Sequence, residues 1–530
     1  MQLVARRTGA GLLTLAVAAT AVHAQGRRGG AAGDQGPTPA AAGRAAGPAD
    51  TAARPFVIRR AEDTLVVTHG TVRLGGVPLA YTATTGMLPI RNRQTGENEG
   101  WMFYVYYAKD GVTDPATRPI SFLFNGGPGS ATVWLHMGAF GPKRVKLNED
   151  GSNPPPPYGF EDNPNTLLDQ TDMVFLDPVG TGYSRPTTIA NGPKFWGLDE
   201  DMQAAAEFIR LFLTRNERWA SPRFIGGESY GTTRAAHLSG YLTDNGIGLN
   251  GVILLSTVTN FENLRPDRGN DIAYVGFFPS FAMTAWYHKK VAPEYQAMTA
   301  EQFARAAEQF TNTEYEPGLY KGENMTAAEK QAFAARISKF TGVSAQFVLD
   351  NDFRLALGRF STELLRDKHL MTGRLDSRFT AYNPDVDAGT TAFDPSDASI
   401  RLSFTPVLND YVRRVLNYNN DNMYYILGGG IGPWHYEEGR FANVTPSLER
   451  AFQRNPYMKL YVAMGYYDMA TTYWSVQYTL DHMILDPKIR ANNVKIGHFE
   501  AGHMMYIDRP SMTKLRAELR AFIDGAVAPH

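Results

Sequence analysis

From residue 56 to 108 apolar and polar residues alternate in short runs (64–69, 71–74, 77–82 and 101–107), with turn residues between them. A period of two with glycine-rich breaks predicts antiparallel strands joined by hairpins at the start of a sheet. The pattern then changes. Runs at 120–124, 173–176, 223–225, 252–255, 460–463 and 494–496 are apolar without alternation, as expected of strands buried on both faces of a parallel sheet. Between the second and third runs, Leu198, Met202, Ala205, Phe208, Ile209, Phe212 and Leu213 recur at helical spacing and predict an amphipathic helix. Strands alternating with helices place the chain in the α/β class with a mostly parallel sheet. The alternation breaks from about 260 to 455. That stretch reads as helical at 299–310, 327–341, 344–357 and 360–367, while 385–399 is polar and strand-free. It is expected to be a cap inserted between two sheet strands. The sheet domain would then run from 56 to 259 and resume at 456–530.

Composition changes this picture at the N-terminus. Arg6 and Arg7 precede an apolar run over 11–22, followed by Val22-His23-Ala24 and then Gln25. A basic start, a short apolar middle and a small-residue end predict that 1–24 is a signal peptide, too short to span a membrane. The protein is therefore expected to be exported, periplasmic or secreted. Residues 25–55 are rich in glycine, alanine and proline and predict a disordered linker. No later stretch holds 18 consecutive apolar residues, so stable membrane insertion is not expected. The 52 Lys and Arg nearly balance the 53 Asp and Glu, and no basic stripe is interleaved with aromatics. Nucleic acid is thus not an expected partner. The chain has no cysteine, which excludes thiol catalysis and cysteine–zinc sites and leaves the core alone to hold an exported fold together.

The strongest chemical signal is Gly227-Glu228-Ser229-Tyr230-Gly231, which follows the strand-like 222–225 and runs into a helical stretch, 232–243. Glycines on both sides of a serine permit the sharp strand-to-helix turn that exposes a nucleophilic hydroxyl. The Tyr230 N–H then faces a developing oxyanion. Such a serine needs a base and the base needs an orienting acid, in the chain order serine, acid, histidine. Asp468 follows the strand-like 460–463, and His503 follows the last strand in Ala501-Gly502-His503-Met504. Gly502 is expected to let the backbone turn so that the ring reaches the serine. Asp481, in helix-like sequence, and His498, within or close to the strand, are the weaker rivals. A second glycine-rich segment, Asn125-Gly126-Gly127-Pro128-Gly129-Ser130, follows the run ending at Phe124 and can point N–H groups at a ligand. It lacks the Gly-Lys-Ser/Thr ending of a phosphate loop. Asp385, Asp387, Asp394 and Asp397 fit no calcium-loop spacing, so neither metal nor cofactor is assigned.

Four blocks, at 125–129, 175–184, 227–231 and 501–504, together resemble the serine carboxypeptidases, in order and over most of the chain after about residue 56. The resemblance implies an α/β-hydrolase fold and removal of C-terminal amino acids from peptides through an acyl-enzyme. It implies Ser229 as nucleophile, His503 as base and Asp468 as its orienter, with the N–H groups of Gly127 and Tyr230 forming the oxyanion hole. Asn125, the Gly126 backbone and Glu228 would bind the substrate's terminal carboxylate. A carboxylic acid donates to a carboxylate only when protonated, so peptidase activity is expected to be best at acidic pH. The chain departs from the family pattern at Ala139, where a second glutamate is usual, and at Leu123, where tryptophan is usual. His136 would be either a charged or hydrogen-bonding substitute or a core residue. An esterase or acyltransferase using the same residues is the alternative within enzymes, and a non-catalytic secreted binding protein the alternative outside them.

Overall fold

The computed structural model describes residues 65–528, so the expected signal peptide at 1–24 and linker at 25–55 lie outside it. The chain opens with the long antiparallel strands β1 (Val66–Leu74), β2 (Val77–Arg91) and β3 (Asn98–Lys109). It continues through β4 (Ile120–Phe124), the short pair β5 (Lys143–Val145) and β6 (Phe160–Asp162), then β7 (Asp172–Leu176), β8 (Arg185–Pro186), β9 (Arg223–Ser229) and β10 (Gly251–Thr257). A second short pair, β11 (Leu370–Thr372) and β12 (Thr380–Tyr382), precedes β13 (Lys459–Gly465) and β14 (Val494–Phe499). Ten of these strands form one sheet in the order β1-β2-β3-β7-β4-β9-β10-β13-β14, with β8 paired to β3. From β7 to β14 all pairs are parallel, whereas β1, β2, β3 and β7 meet antiparallel. This is the α/β-hydrolase architecture.

Every residue of β4, β7 and β10 is buried, which explains why these strands read as unbroken apolar runs. Successive residues point to opposite faces. Phe122, Phe124, Ile225 and Leu254 pack on one side with α1 (Leu198–Arg215) and α2 (Tyr230–Asp244). Leu123, Phe224 and Ile253 pack on the other with the C-terminal helix Arg509–Val527.

Three differences from the sequence expectation have physical causes. Within the described residues, the runs expected at 64–69 and 71–74 form one strand, Val66–Leu74, because Gly70 is not a turn. It sits opposite Tyr81, whose ring occupies the space a side chain at 70 would need, 2.5 Å from an ideal Cβ. Helix α3 (Asp271–Tyr287) shows no amphipathic period because it is buried nearly all round and carries Pro279. The helix expected at 344–357 spans only Ala345–Asp350, ended by Asp352 and Phe353 at positive φ, and the one expected at 360–367 lies at Leu357–Glu363. Between β10 and β13 the helices Pro395–Arg414 and Thr445–Arg454 were also unforeseen. No described helix is long and apolar enough to cross a membrane.

Candidate active site

β9, β13 and β14 run parallel, so their C-terminal ends open on the same edge of the sheet, the usual place for a site in an open α/β fold. Ser229 ends β9 and begins the turn into α2, with φ 59°. A non-glycine residue there is strained, and the neighbouring packing explains how it is held. An ideal Cβ on Gly231 would lie 2.6 Å from the Phe124 carbonyl oxygen, and one on Gly126 only 2.4 Å from the Tyr230 nitrogen. Glycine at both positions lets the 125–130 loop lie directly on the serine turn. Gly127, at φ 102°, bends that loop back over Gly129 and Ser130.

Thr257 is the register partner of Ser229, and the adjacent Ser256 hydroxyl donates to the His503 carbonyl at 2.6 Å. His503 Nδ1 donates to Asp468 Oδ2 at 2.7 Å, and both side chains are buried. Asp468 is itself fixed by the N–H groups of Ala470 and Thr471 on Oδ1 and by the Thr471 hydroxyl on Oδ2. Burial is the largest influence on His503 and pulls its pKa down. The carboxylate of Asp468, aided by Glu228, more than offsets this and holds it above the ordinary histidine value. Asp481 and His498 stand apart, Asp481 on the helix Tyr473–Asp481 and His498 within β14, stacked on Tyr466.

Behind the serine, Glu228 is 3% exposed and accepts from the Asn125 amide at 2.7 Å and from the Tyr506 hydroxyl at 2.5 Å, both on Oε2. Burial pushes its pKa up to about 7, against the lowering effects of His503 and the two hydrogen bonds. Asn125 is held from both sides: its Oδ1 accepts the Leu135 N–H, and its carbonyl accepts Arg234, which is buried and paired with Asp201.

A sequence model of the family described as serine carboxypeptidase matches residues 78–506. The chain belongs to that family. Among curated relatives, Carboxypeptidase Y homolog A of Talaromyces stipitatus is 30% identical over 139 residues, covering 25% of this chain and 22% of its own length. Serine carboxypeptidase ctsa-3.1 of Caenorhabditis elegans is 28% identical over 138 residues, with the same coverages. The match thus spans about a fifth of the length of these relatives. A prohormone-processing carboxypeptidase from Saccharomyces cerevisiae covers 84% of this chain and 90% of its own, at 15% identity and a TM-score of 0.49.

Against the family pattern, two sequence expectations change. His136 is no charged substitute for the missing acid. It is buried between the Tyr107 hydroxyl and the Phe175 ring, and burial lowers its pKa to about 3, so it is neutral. The need for glycine at 502 is not a positive φ, which it does not adopt. Its role is close approach: a Cβ there would lie 2.4 Å from Asp376 Cβ, and its N–H donates to Asp376 Oδ2.

Two elements beside the site were missed, because nothing local in the sequence links them to it. Residues 373–379 wedge between the acid and histidine loops. The His503 N–H donates to the Leu375 carbonyl, Met469 N–H to Arg374, and Ser377 N–H to Tyr467. Residues 424–436 cross the glycine loop as a strap. Gly428 N–H donates to Gly129, Ala131 N–H to Ile426, and the Trp434 indole to the Tyr230 hydroxyl, while Ile431 packs on Gly129. The GGGIG run at 428–432 was the one available signal for such a close crossing.

Proposed function

We propose that the protein is a serine carboxypeptidase that releases C-terminal amino acids from peptides through an acyl-enzyme. The observation that carries this reading is the Glu228 carboxyl, buried beside the serine, bound to Asn125 and pushed up to about 7. An uncharged carboxyl next to a nucleophile has a use when the substrate brings its own carboxylate, to which it donates a hydrogen bond.

Ser229 Oγ attacks the carbonyl of the last peptide bond while His503 Nε2 takes its proton. The Asp468 carboxylate keeps the other proton on Nδ1 and stabilises the imidazolium. The N–H groups of Gly127 and Tyr230 receive the oxyanion. Collapse of the tetrahedral intermediate breaks the C–N bond, and His503 returns the proton to the departing amino group. Water, deprotonated by His503, then attacks the acyl-Ser229 ester and restores the serine. The terminal carboxylate is met by protonated Glu228, Asn125 and the Gly126 backbone, so activity falls as Glu228 ionises. Peptides are the substrates. Export, to the periplasm or beyond the cell, is supported by the basic, apolar and small-residue sequence of 6–24.

Digesting a peptide library tests the reading: residues are expected to leave one at a time from the C-terminus. Internal fragments, or activity on esters alone, would instead mark an esterase or acyltransferase. A fluorophosphonate is expected to label the wild type and not Ser229→Ala, and an unlabelled wild type would leave a non-catalytic binding protein. Export predicts that protein recovered outside the cytoplasm begins at Gln25.

A further inference from the structure

Tyr506 lies three residues beyond His503, and its hydroxyl reaches back to Glu228 Oε2 at 2.5 Å. The tyrosine is buried, and its ring rests on the backbone of Gly138, where an ideal Cβ would come within 2.9 Å of ring carbon Cε2. Gly138 therefore leaves the space that the ring fills. Asn125 donates to the same oxygen, so Glu228 Oε2 takes two hydrogen bonds, whereas Oε1 takes none from the described residues.

We propose that Tyr506 is a positioning residue for C-terminal carboxylate recognition: with Asn125 it claims Oε2, so that the carboxyl proton sits on Oε1 and is donated to the substrate. This rests on the carboxypeptidase reading above. A carboxyl group has one carbonyl-like and one hydroxyl oxygen, and two donors on one oxygen fix which is which. The same bond ties Glu228 to the loop that carries His503, so the group that receives the substrate's end is linked to the group that moves the proton. The charged groups facing Glu228 are His503 and Asp468, and Arg374 faces His503. Tyr506→Phe alters none of them. It removes a donor that favours ionised Glu228, so Glu228 should hold its proton to higher pH.

The test compares two substrates in Tyr506→Phe: a blocked dipeptide with a free terminal carboxylate, and the same compound with that carboxylate converted to its primary amide. The ratio of kcat/KM for the acid over that for the amide is expected to fall about tenfold at pH 5, the usual scale for one hydrogen bond to a charged or charge-sharing group, with the loss mainly in KM. The alkaline limb for the acid substrate should move to higher pH. An equal loss on both substrates, or an unmoved limb, would overturn the proposal and leave Tyr506 as packing. Gly138→Ala keeps the hydroxyl but pushes the ring aside, and it should give the same split in milder form. If it leaves the ratio and limb untouched, the proposal also fails. Wild-type enzyme that labels with a fluorophosphonate yet ignores free carboxylates would refute the carboxypeptidase reading itself, a result distinct from a silent Tyr506→Phe.

Discussion

At the scale of single residues, the proposed function makes Glu228 the group whose titration governs the pH behaviour. Its carboxyl is neutral below about 7 in the folded protein and ionised above, while its ordinary value is 4.5. Glu228→Gln presents an amide that donates at every pH. The alkaline fall in kcat/KM for free-acid peptides should therefore vanish in this variant. At pH 8 it should exceed the wild type by about tenfold, because a group of pKa near 7 is then about nine-tenths ionised. Since His503 and Glu228 influence each other, the limbs belong to the pair, and the experiment reads the change in the upper one. Stability follows the same titration. The folded state binds the Glu228 proton more tightly than the unfolded chain, so stability is lost as pH rises from 4.5 through about 7. Relative to wild type, Glu228→Gln should gain up to about 3 kcal/mol above pH 7 compared with below pH 4.5. A thermal-melt difference that does not change with pH would contradict this.

At the scale of elements, the site depends on segments distant in sequence. Asp376 accepts the Gly502 N–H and pairs with the mostly buried Arg378, which also reaches the Glu500 carbonyl. Asp376→Ala leaves that guanidinium without its main partner and frees the histidine loop. It should cost about 3 kcal/mol of stability in denaturant unfolding. Among molecules still folded, kcat should fall more than KM rises. The same contrast explains what was legible in the sequence. The Ser229 turn announces itself locally, since strand, glycines and helix are contiguous. Asp468 and His503, which the structure brings into hydrogen bond, were singled out because each follows an apolar run in the expected order. Tyr506 and the 373–379 wedge carry no such mark, because their roles arise from hydrogen bonds across tens to hundreds of residues. Helix α3 was hidden for another reason: burial on nearly all sides erases the periodicity that reveals a helix.

At the scale of the whole molecule, the helices between β10 and β13 do not have a core of their own. Phe278 and Phe340 belong to the same continuous apolar cluster as Phe122, Ile225 and Leu254 of the sheet and Met464 of β13. Calorimetry should therefore show one cooperative unfolding transition, and two resolved transitions would show that this segment folds separately. With no cysteine in the chain, that transition should be the same with and without reductant. The wedge at 373–379 has a further consequence for anyone wishing to redirect substrate preference. The long segment between β10 and β13 is not an interchangeable part, because it carries the backbone partners of His503 and Met469. A graft that borrows a foreign segment while retaining 373–379 and its anchor at Asp394 and Ser396 should keep His503, the proposed base, in place. One that replaces the whole segment inherits the sheet and should lose that placement.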